Sequence, residues 1–522
     1  MLDIFLYYLE PSIVNSSFFQ YLPPFFGYLI VLSTIIWGIY TLKTRETFSK
    51  NEIITLTIVI LVYTLLAFNQ PFTTGAGGGE EYNYVLVGES ISETFTFTNA
   101  RADGGIYLKP YVMYPVLVSI PSLFFETSLS LGISVNTVLS VLTLFMFYLV
   151  SKSFFGEKAG IFSVIILGIS PLFLKMARSP ESLMVSGFYL LFTVYGMQKW
   201  EESPQIGYKI GIIIGVLGMV FSRTDMWLFI PPLFITYLLK TKKIKEKIFS
   251  KQNILLGLVF MAVSTVSLML NINFGTSLAR PFSTENLLNN LTEFFFTVRS
   301  SFGYVLILLI GLPLSLYYLM TEKGKRVIYG IGLLNLVFYL FYQPGNINAH
   351  PKFYFITLII FSFSIGDFFY KISNKYNKKR FYKPFILFTI LIIIAIPTGY
   401  NIQQIERDEY SLAAKHTLNI PMRMYPECTL LAQDRRHVKI VGYEEAISSW
   451  SYSKEELGEI NKLREFNEEC LIYYRRRKDA SHFEKFEQKF LEEAEKLSTY
   501  PTDNHHNPTA YLINLTEPGQ TN

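Results

Sequence analysis

The chain has 522 residues, 50% of them hydrophobic, 16% aromatic and only 17% charged, with a formal net charge of +5. A soluble protein carries about 25% charged residues, and the shortfall here lies between residue 22 and about 400, which excludes a soluble enzyme built on one large core. Residues 404–522 hold 16 Lys and Arg against 21 Asp and Glu, so the end of the chain is acidic, and no basic-aromatic groove points to nucleic acid.

Residues 1–20 contain no Lys or Arg and lack the basic start of a signal peptide. Apolar segments of spanning length follow at roughly 22–42, 52–69, 135–151, 159–175, 182–198, 208–222, 226–240, 253–270, 301–320, 327–343, 353–370 and 384–400. They predict a mainly α, polytopic membrane protein of about 12 transmembrane helices over residues 1–403. Lys and Arg are distributed unevenly over the loops. If the loop Lys43–Glu52 is cytoplasmic, the cytoplasmic set holds 22 of them and the opposite set 8, the tail aside. The positive-inside rule then puts the N-terminus, the first long loop (70–134) and the tail outside. The longer loops lie on that face, where function tends to gather.

The first outer loop begins Gly77-Gly78-Gly79-Glu80-Glu81-Tyr82-Asn83-Tyr84. Glu80 and Tyr84 share a face if this stretch is helical, with Glu81 offset by about 100°. A carboxylate at an apolar boundary has its pKa pushed towards that of a general base; the plain alternative is two solvated acids beside a flexible glycine run. Lys109-Pro110 lies in the same loop and reads as an anion-binding lysine or a snorkelling anchor. Tyr114–Leu131 is apolar again, and a full span there would invert every later loop, so it reads as a juxtamembrane or re-entrant helix.

Three polar groups stand at outer ends of spans: Lys175 through Glu181, which includes Arg178; Ser222-Arg223-Thr224-Asp225; and His350-Pro351-Lys352. Each alone reads as a helix-end charge at the interface. Together they supply cations and a carboxylate on one face, which suits gripping a lipid-linked phosphate and activating a hydroxyl.

The tail, 404–522, shows helical patterns at Asp408–Leu418 and Ser481–Leu497. Strand patterns fall at Thr429–Ala432, His437–Val441, Cys470–Tyr474 and Ala510–Leu515, which predicts a small extracytoplasmic α/β domain. Its two cysteines, Cys428 and Cys470, are either free thiols or one disulfide, and too few for a cysteine metal site.

In these motifs the chain resembles the GT-C class of membrane glycosyltransferases, in particular the aminoarabinose-transferase and protein O-mannosyltransferase branch. The family's Asp-Glu-x-x-Tyr motif, followed about thirty residues later by Lys-Pro, is matched by Glu80-Glu81-x-x-Tyr84 and Lys109-Pro110. Gly156 to Gly160, Ser170-Pro171 and Ala177 to Glu181 resemble the third and fourth spans, and His350 to Tyr354 the entry to a late span. Glu80 stands where the family usually has Asp.

The resemblance implies transfer of a hexosyl or pentosyl group from a polyprenyl-phosphate donor to an acceptor protein, glycan or lipid outside the membrane. It implies Glu80 as base with Glu81 second, Tyr84 orienting it, and Lys109, Arg178, Glu181, Arg223 and Lys352 at the donor phosphate. A single carboxylate implies inversion. No cofactor is expected; a divalent metal is the less favoured alternative, because the first outer loop holds no Asp-x-Asp pair. A lipid-linked saccharide transporter or flippase, a polysaccharide polymerase or ligase, and a non-catalytic scaffold are the competing readings.

Overall fold

The computed structural model describes residues 17–45, 48–68, 80–99, 105–106, 111–203, 205–239, 257–258, 261, 263–264, 286–291, 298–322, 326–342, 351–375, 418, 421–432, 447–448, 470–475, 495–499 and 509–514. Contacts divide the chain into two compact units, Met1–Phe97 with Ile106–Ile405, and Thr98–Gly105 with Glu406–Asn522.

The described part of the first unit is helical. In chain order it holds α1 (Ser17–Arg45), α2 (Lys50–Phe68), α3 (Glu80–Thr94), α4 (Met113–Ser122), α5 (Leu129–Phe155), α6 (Glu157–Gly168), α7 (Pro171–Ala177), α8 (Leu183–Glu202) and α9 (Ile206–Ser222). A 3-10 turn (Thr224–Phe229) leads into α10 (Ile230–Leu239); α11 (Val298–Thr321) and α12 (Arg326–Phe341) follow, and a second 3-10 turn (Pro351–Tyr354) precedes α13 (Phe355–Lys375). Among the described residues, four helices are long and apolar enough to cross a membrane, or five if the bent pair α6–α7 is one span. The chain is a multi-pass membrane protein. The spans expected at 253–270 and 384–400 lie largely or wholly outside the described residues.

The expected straight span 159–175 is instead bent by 70° between α6 and α7. The cause is local: Pro171 has no N–H to donate, its ring clashes with the carbonyl four residues back, and it disfavours helical backbone at Ser170. The expected span 226–240 likewise starts as a 3-10 turn. In the first outer stretch α4 ends at Ser122, well short of Leu131. Ser128 then caps α5, accepting from the Leu131 N–H at 3.2 Å.

The two ends of the bundle differ. At one, Ser49 and Glu52 form a reciprocal capping box at the start of α2, Ser49 N–H to Glu52 Oε2 at 3.0 Å and Glu52 N–H to Ser49 Oγ at 3.1 Å. Glu52 also takes Lys152, at the end of α5, at 2.6 Å, and the Tyr148 hydroxyl. Helix α2 finishes at the other end, where Phe68 lies under Arg178, 5.7 Å from ring centre to guanidinium. The helices between are closely packed. A Cβ on Gly366 of α13 would stand 2.6 Å from Ser163 Cα of α6, so these two backbones touch.

The described part of the second unit is a five-stranded sheet in the order β4-β3-β5-β7-β6: β3 (Thr429–Ala432), β4 (Ile447–Ser448), β5 (Cys470–Arg475), β6 (Glu495–Thr499) and β7 (Thr509–Asn514). A separate pair, β1 (Thr98–Asn99) and β2 (Gly105–Ile106), also forms. β3 runs parallel to β4 and β5, whereas β7 is antiparallel to β5 and β6. Cys428 and Cys470 form a disulfide, Cα–Cα 5.0 Å, that ties the head of β3 to the head of β5. Leu418, Leu430, Ile472 and Ala510 pack beside it. The helix expected to run to Leu497 does not reach it, because Glu495–Thr499 pair with β7. Its apolar face, Phe483 to Leu491, already stops short of Glu495. Residues 408–417, 437–441 and 481–494 lie outside the described set.

Candidate active site

Helix α3 opens at Glu80, directly after the glycine run, with Glu80 and Glu81 in its first turn. Acids there are favoured by the helix dipole. The side chains of both, and Lys109 entirely, lie outside the described residues. One turn on, Tyr84 is fully buried, edge-on to Tyr111 at 5.8 Å and to Tyr114 at 5.9 Å. The Tyr114 hydroxyl donates to Gly132 O of α5 at 2.7 Å. Helix and loop meet closely here, since a Cβ on Gly132 would stand 2.7 Å from Val85 and 3.3 Å from Pro180.

The turn between α7 and α8 carries Arg178 and Glu181. Glu181 is fully buried, and its Oε1 accepts from Lys352 Nζ at 2.7 Å. Tyr114 lies within electrostatic reach of the same carboxylate. Arg178 points Nη1 to Thr137 Oγ1 at 3.5 Å, and burial pulls its guanidinium pKa down. An anion beside it would favour the charged form and offset the cost of burial. Asn136 of α5 spans the turn, its Nδ2 donating to Met176 O at 3.1 Å, Glu181 O at 3.0 Å and Ser179 O.

A second charged pair stands after α9. Arg223 Nε donates to Asp225 Oδ1 at 2.8 Å, and the Tyr339 hydroxyl of α12 donates to Asp225 Oδ2. The Arg223 guanidinium lies 5.2 Å from the Tyr111 ring centre. Burial, the largest influence, would lower its pKa; the Asp225 carboxylate together with Tyr111, Tyr339 and Tyr84 outweighs this and holds it well above the ordinary value. The Val112 N–H, just ahead of α4, donates to Phe221 O at 2.8 Å and keeps Tyr111 beside Arg223.

The two pairs join. Tyr339 stacks on Phe353 at 4.7 Å, and Phe353 is next to Lys352 in sequence. Contacts run from Tyr114 and Tyr84 through Tyr111, Arg223, Asp225 and Tyr339 to Phe353, whose neighbour in sequence, Lys352, pairs with Glu181. The structure therefore brings together Tyr84, Glu181, Arg223 and Lys352, with Arg178 three residues from Glu181. Lys352 and Arg223 are not bare cations: each is held by a carboxylate, which fixes its position. Sequence reasoning did not single out Tyr111, Tyr114, Asn136 or Tyr339. Asp225 appeared only as a neighbour of Arg223. In the second unit Glu427, Cys428 and Cys470 converge, but the disulfide occupies both sulfurs and leaves no thiolate for a metal.

The family model described as dolichyl-phosphate-mannose-protein mannosyltransferase matches residues 109–270, the interval holding Asn136, Arg178, Glu181 and Arg223. The fold is similar to ArnT from Cupriavidus metallidurans in the apo state, at 10% identity over 89% of this chain and 98% of that one, TM-score 0.56. ArnT bound to undecaprenyl phosphate matches at 11% identity over 90% and 99%, also with TM-score 0.56. The archaeal oligosaccharyltransferase AglB from Archaeoglobus fulgidus, in complex with an inhibitory peptide and a dolichol-phosphate, matches at 12% identity over 81% of this chain and 69% of that one, TM-score 0.50. No curated protein sequence matches the chain. The resemblance to GT-C membrane glycosyltransferases, read first from short motifs, is borne out by the family model and the fold.

Proposed function

We propose that the chain is a membrane glycosyltransferase that moves a sugar from a polyprenyl-phosphate-linked donor to an acceptor hydroxyl or phosphate outside the membrane. The observation that carries this reading is the linkage of the Glu181–Lys352 and Arg223–Asp225 pairs through Tyr339 and Phe353, with Tyr84, one turn from Glu80, packed on Tyr111 beside Arg223. The ligands named for the ArnT and AglB structures, undecaprenyl phosphate and dolichol-phosphate, lend support to the donor class.

The chemistry suits the residues. The leaving group is a phosphate, already a weak base, so departure needs no general acid, unlike the two-carboxylate glycosidases. One carboxylate takes the acceptor proton as its oxygen attacks the anomeric carbon; Glu80 has that role, with Glu81 second. Lys109, Arg178, Arg223 and Lys352 stabilise the charge that grows on the departing phosphate. Glu181 and Asp225 hold two of these cations in place. Attack opposite the leaving phosphate inverts the anomeric carbon, and no metal is required.

Mass spectrometry of lipid co-purified with the full chain tests the donor, and transfer to a synthetic acceptor tests the chemistry. A polyprenyl-phosphate sugar retained by the wild type and lost in Lys109→Ala, with turnover abolished in Glu80→Gln and less affected in Glu81→Gln, is the expected result. A wild-type protein that carries no such lipid and catalyses no transfer overturns the proposal. Transport of the intact lipid-linked saccharide without transfer would favour a flippase.

A further inference from the structure

We propose that two buried asparagines, Asn136 and Asn290, are positioning residues that lock the turn carrying Arg178 and Glu181 and the helix end carrying Tyr339, the residue that holds Asp225; for its consequence on lipid-phosphate binding this rests on the glycosyltransferase reading. A helix end leaves carbonyls without partners. At the break after α7 the backbone itself supplies only short-range bonds, Ser179 N–H to Met176 O at 3.4 Å and Glu181 N–H to Ser179 O at 2.8 Å, and the Asn136 amide adds a tie from α5 to the same carbonyls. Its nitrogen faces Met176 O at 3.1 Å, Glu181 O at 3.0 Å and Ser179 O. The orientation is forced, because a flipped amide would set its own oxygen against three carbonyl oxygens. The Asn136 side-chain oxygen is buried with no hydrogen-bond partner among the described residues. An unmet buried acceptor is unfavourable, so the donating nitrogen must offset it. Thr137 extends the clamp, its Oγ1 lying 3.0 Å from Ala177 O and 3.5 Å from Arg178 Nη1.

Asn290 repeats the device on the other arm. Its nitrogen faces Leu340 O at 2.9 Å, Tyr342 O at 3.1 Å and Tyr339 O at 3.4 Å, where α12 ends. Tyr339 is the residue that holds Asp225. Each arm of the site is thus pinned by one neutral amide. An amide suits the task, since it aligns backbone without adding a charge that would compete with the donor phosphate.

The test uses the full chain in lipid nanodiscs and three variants, Asn136→Leu, Asn290→Leu and the milder Thr137→Val. Amide hydrogen exchange over 176–182 rises in Asn136→Leu and by less in Thr137→Val; exchange over 339–342 rises in Asn290→Leu. The dissociation constant for undecaprenyl phosphate, measured on the folded fraction, rises about tenfold in Asn136→Leu. Unchanged exchange in these segments overturns the clamp. Faster exchange with an unchanged dissociation constant reduces the asparagines to a structural role and overturns positioning. A wild type that binds no undecaprenyl phosphate sinks the functional reading instead, and the exchange data still decide the clamp.

Discussion

Lys352 and Glu181, 171 residues apart in sequence, meet as an ion pair at 2.7 Å with the carboxylate fully buried. Removing one partner from such a pair leaves an uncompensated charge and costs about 3–5 kcal/mol. Lys352→Met and Glu181→Leu should each lower the thermal midpoint of the purified chain sharply, and the double variant should recover most of the loss. Two single losses that simply add would show that the pair is not coupled.

Tyr339→Phe removes only the hydroxyl that donates to Asp225. A fully buried acceptor left unsatisfied costs about 1–3 kcal/mol, and Asp225 is part-buried, so the loss of stability should fall at or below the low end of that range. Because Asp225 holds Arg223, turnover should fall by more than stability alone accounts for. Asp225→Asn should reproduce the loss of turnover. Full activity in Tyr339→Phe would show that the hydroxyl is not needed to hold the Arg223–Asp225 pair.

Gly132 sits where α3, α5 and the Pro180 turn converge, and a Cβ there would stand 2.7 Å from Val85. Gly132→Val overpacks this junction, at about 1–3 kcal/mol, and displaces the helix that begins at Glu80. Transfer activity should collapse. The control is Gly38→Ala, with nothing within 4 Å of the new Cβ, which should be neutral or slightly stabilising. Equal tolerance at both positions would refute the close approach.

The Cys428–Cys470 disulfide closes a separation of 42 residues. Its removal by Cys428→Ser with Cys470→Ser should destabilise the sheet by about 2–5 kcal/mol. Limited proteolysis should then cut within 406–522 first and leave the helical unit intact. Cleavage patterns identical to the wild type would mean the sheet does not depend on the bond.

The sequence makes the helical architecture plain because spanning a membrane demands apolar length, and that demand is local. The break at Pro171 was equally local, yet hydropathy averaged over a window hides it. The relation of Glu80 to Tyr84 followed from helical spacing alone, and α3 supplies that spacing. The pairing of Glu181 with Lys352 leaves no trace in either neighbourhood: each reads as an ordinary charge at a helix end. Asn136 is less visible still, one polar residue in an apolar run whose meaning depends on carbonyls forty residues away. In the tail, β3, β5 and β7 were legible from their apolar runs. β6 was not, since Glu495-Lys496-Leu497-Ser498-Thr499 has a strand pattern only once β7 is beside it.

The contact between Gly366 and Ser163 has a consequence in heredity. Any side chain at 366 would meet the backbone of Ser163 in α6 as well as its hydroxyl, and the backbone cannot swing away. All glycine codons share their first two bases, so every change there installs a Cβ or ends the chain, and only the third base is free to drift. A saturation library at position 366, selected for folded protein, should read back glycine through all four synonymous triplets, whatever the fate of the catalytic residues.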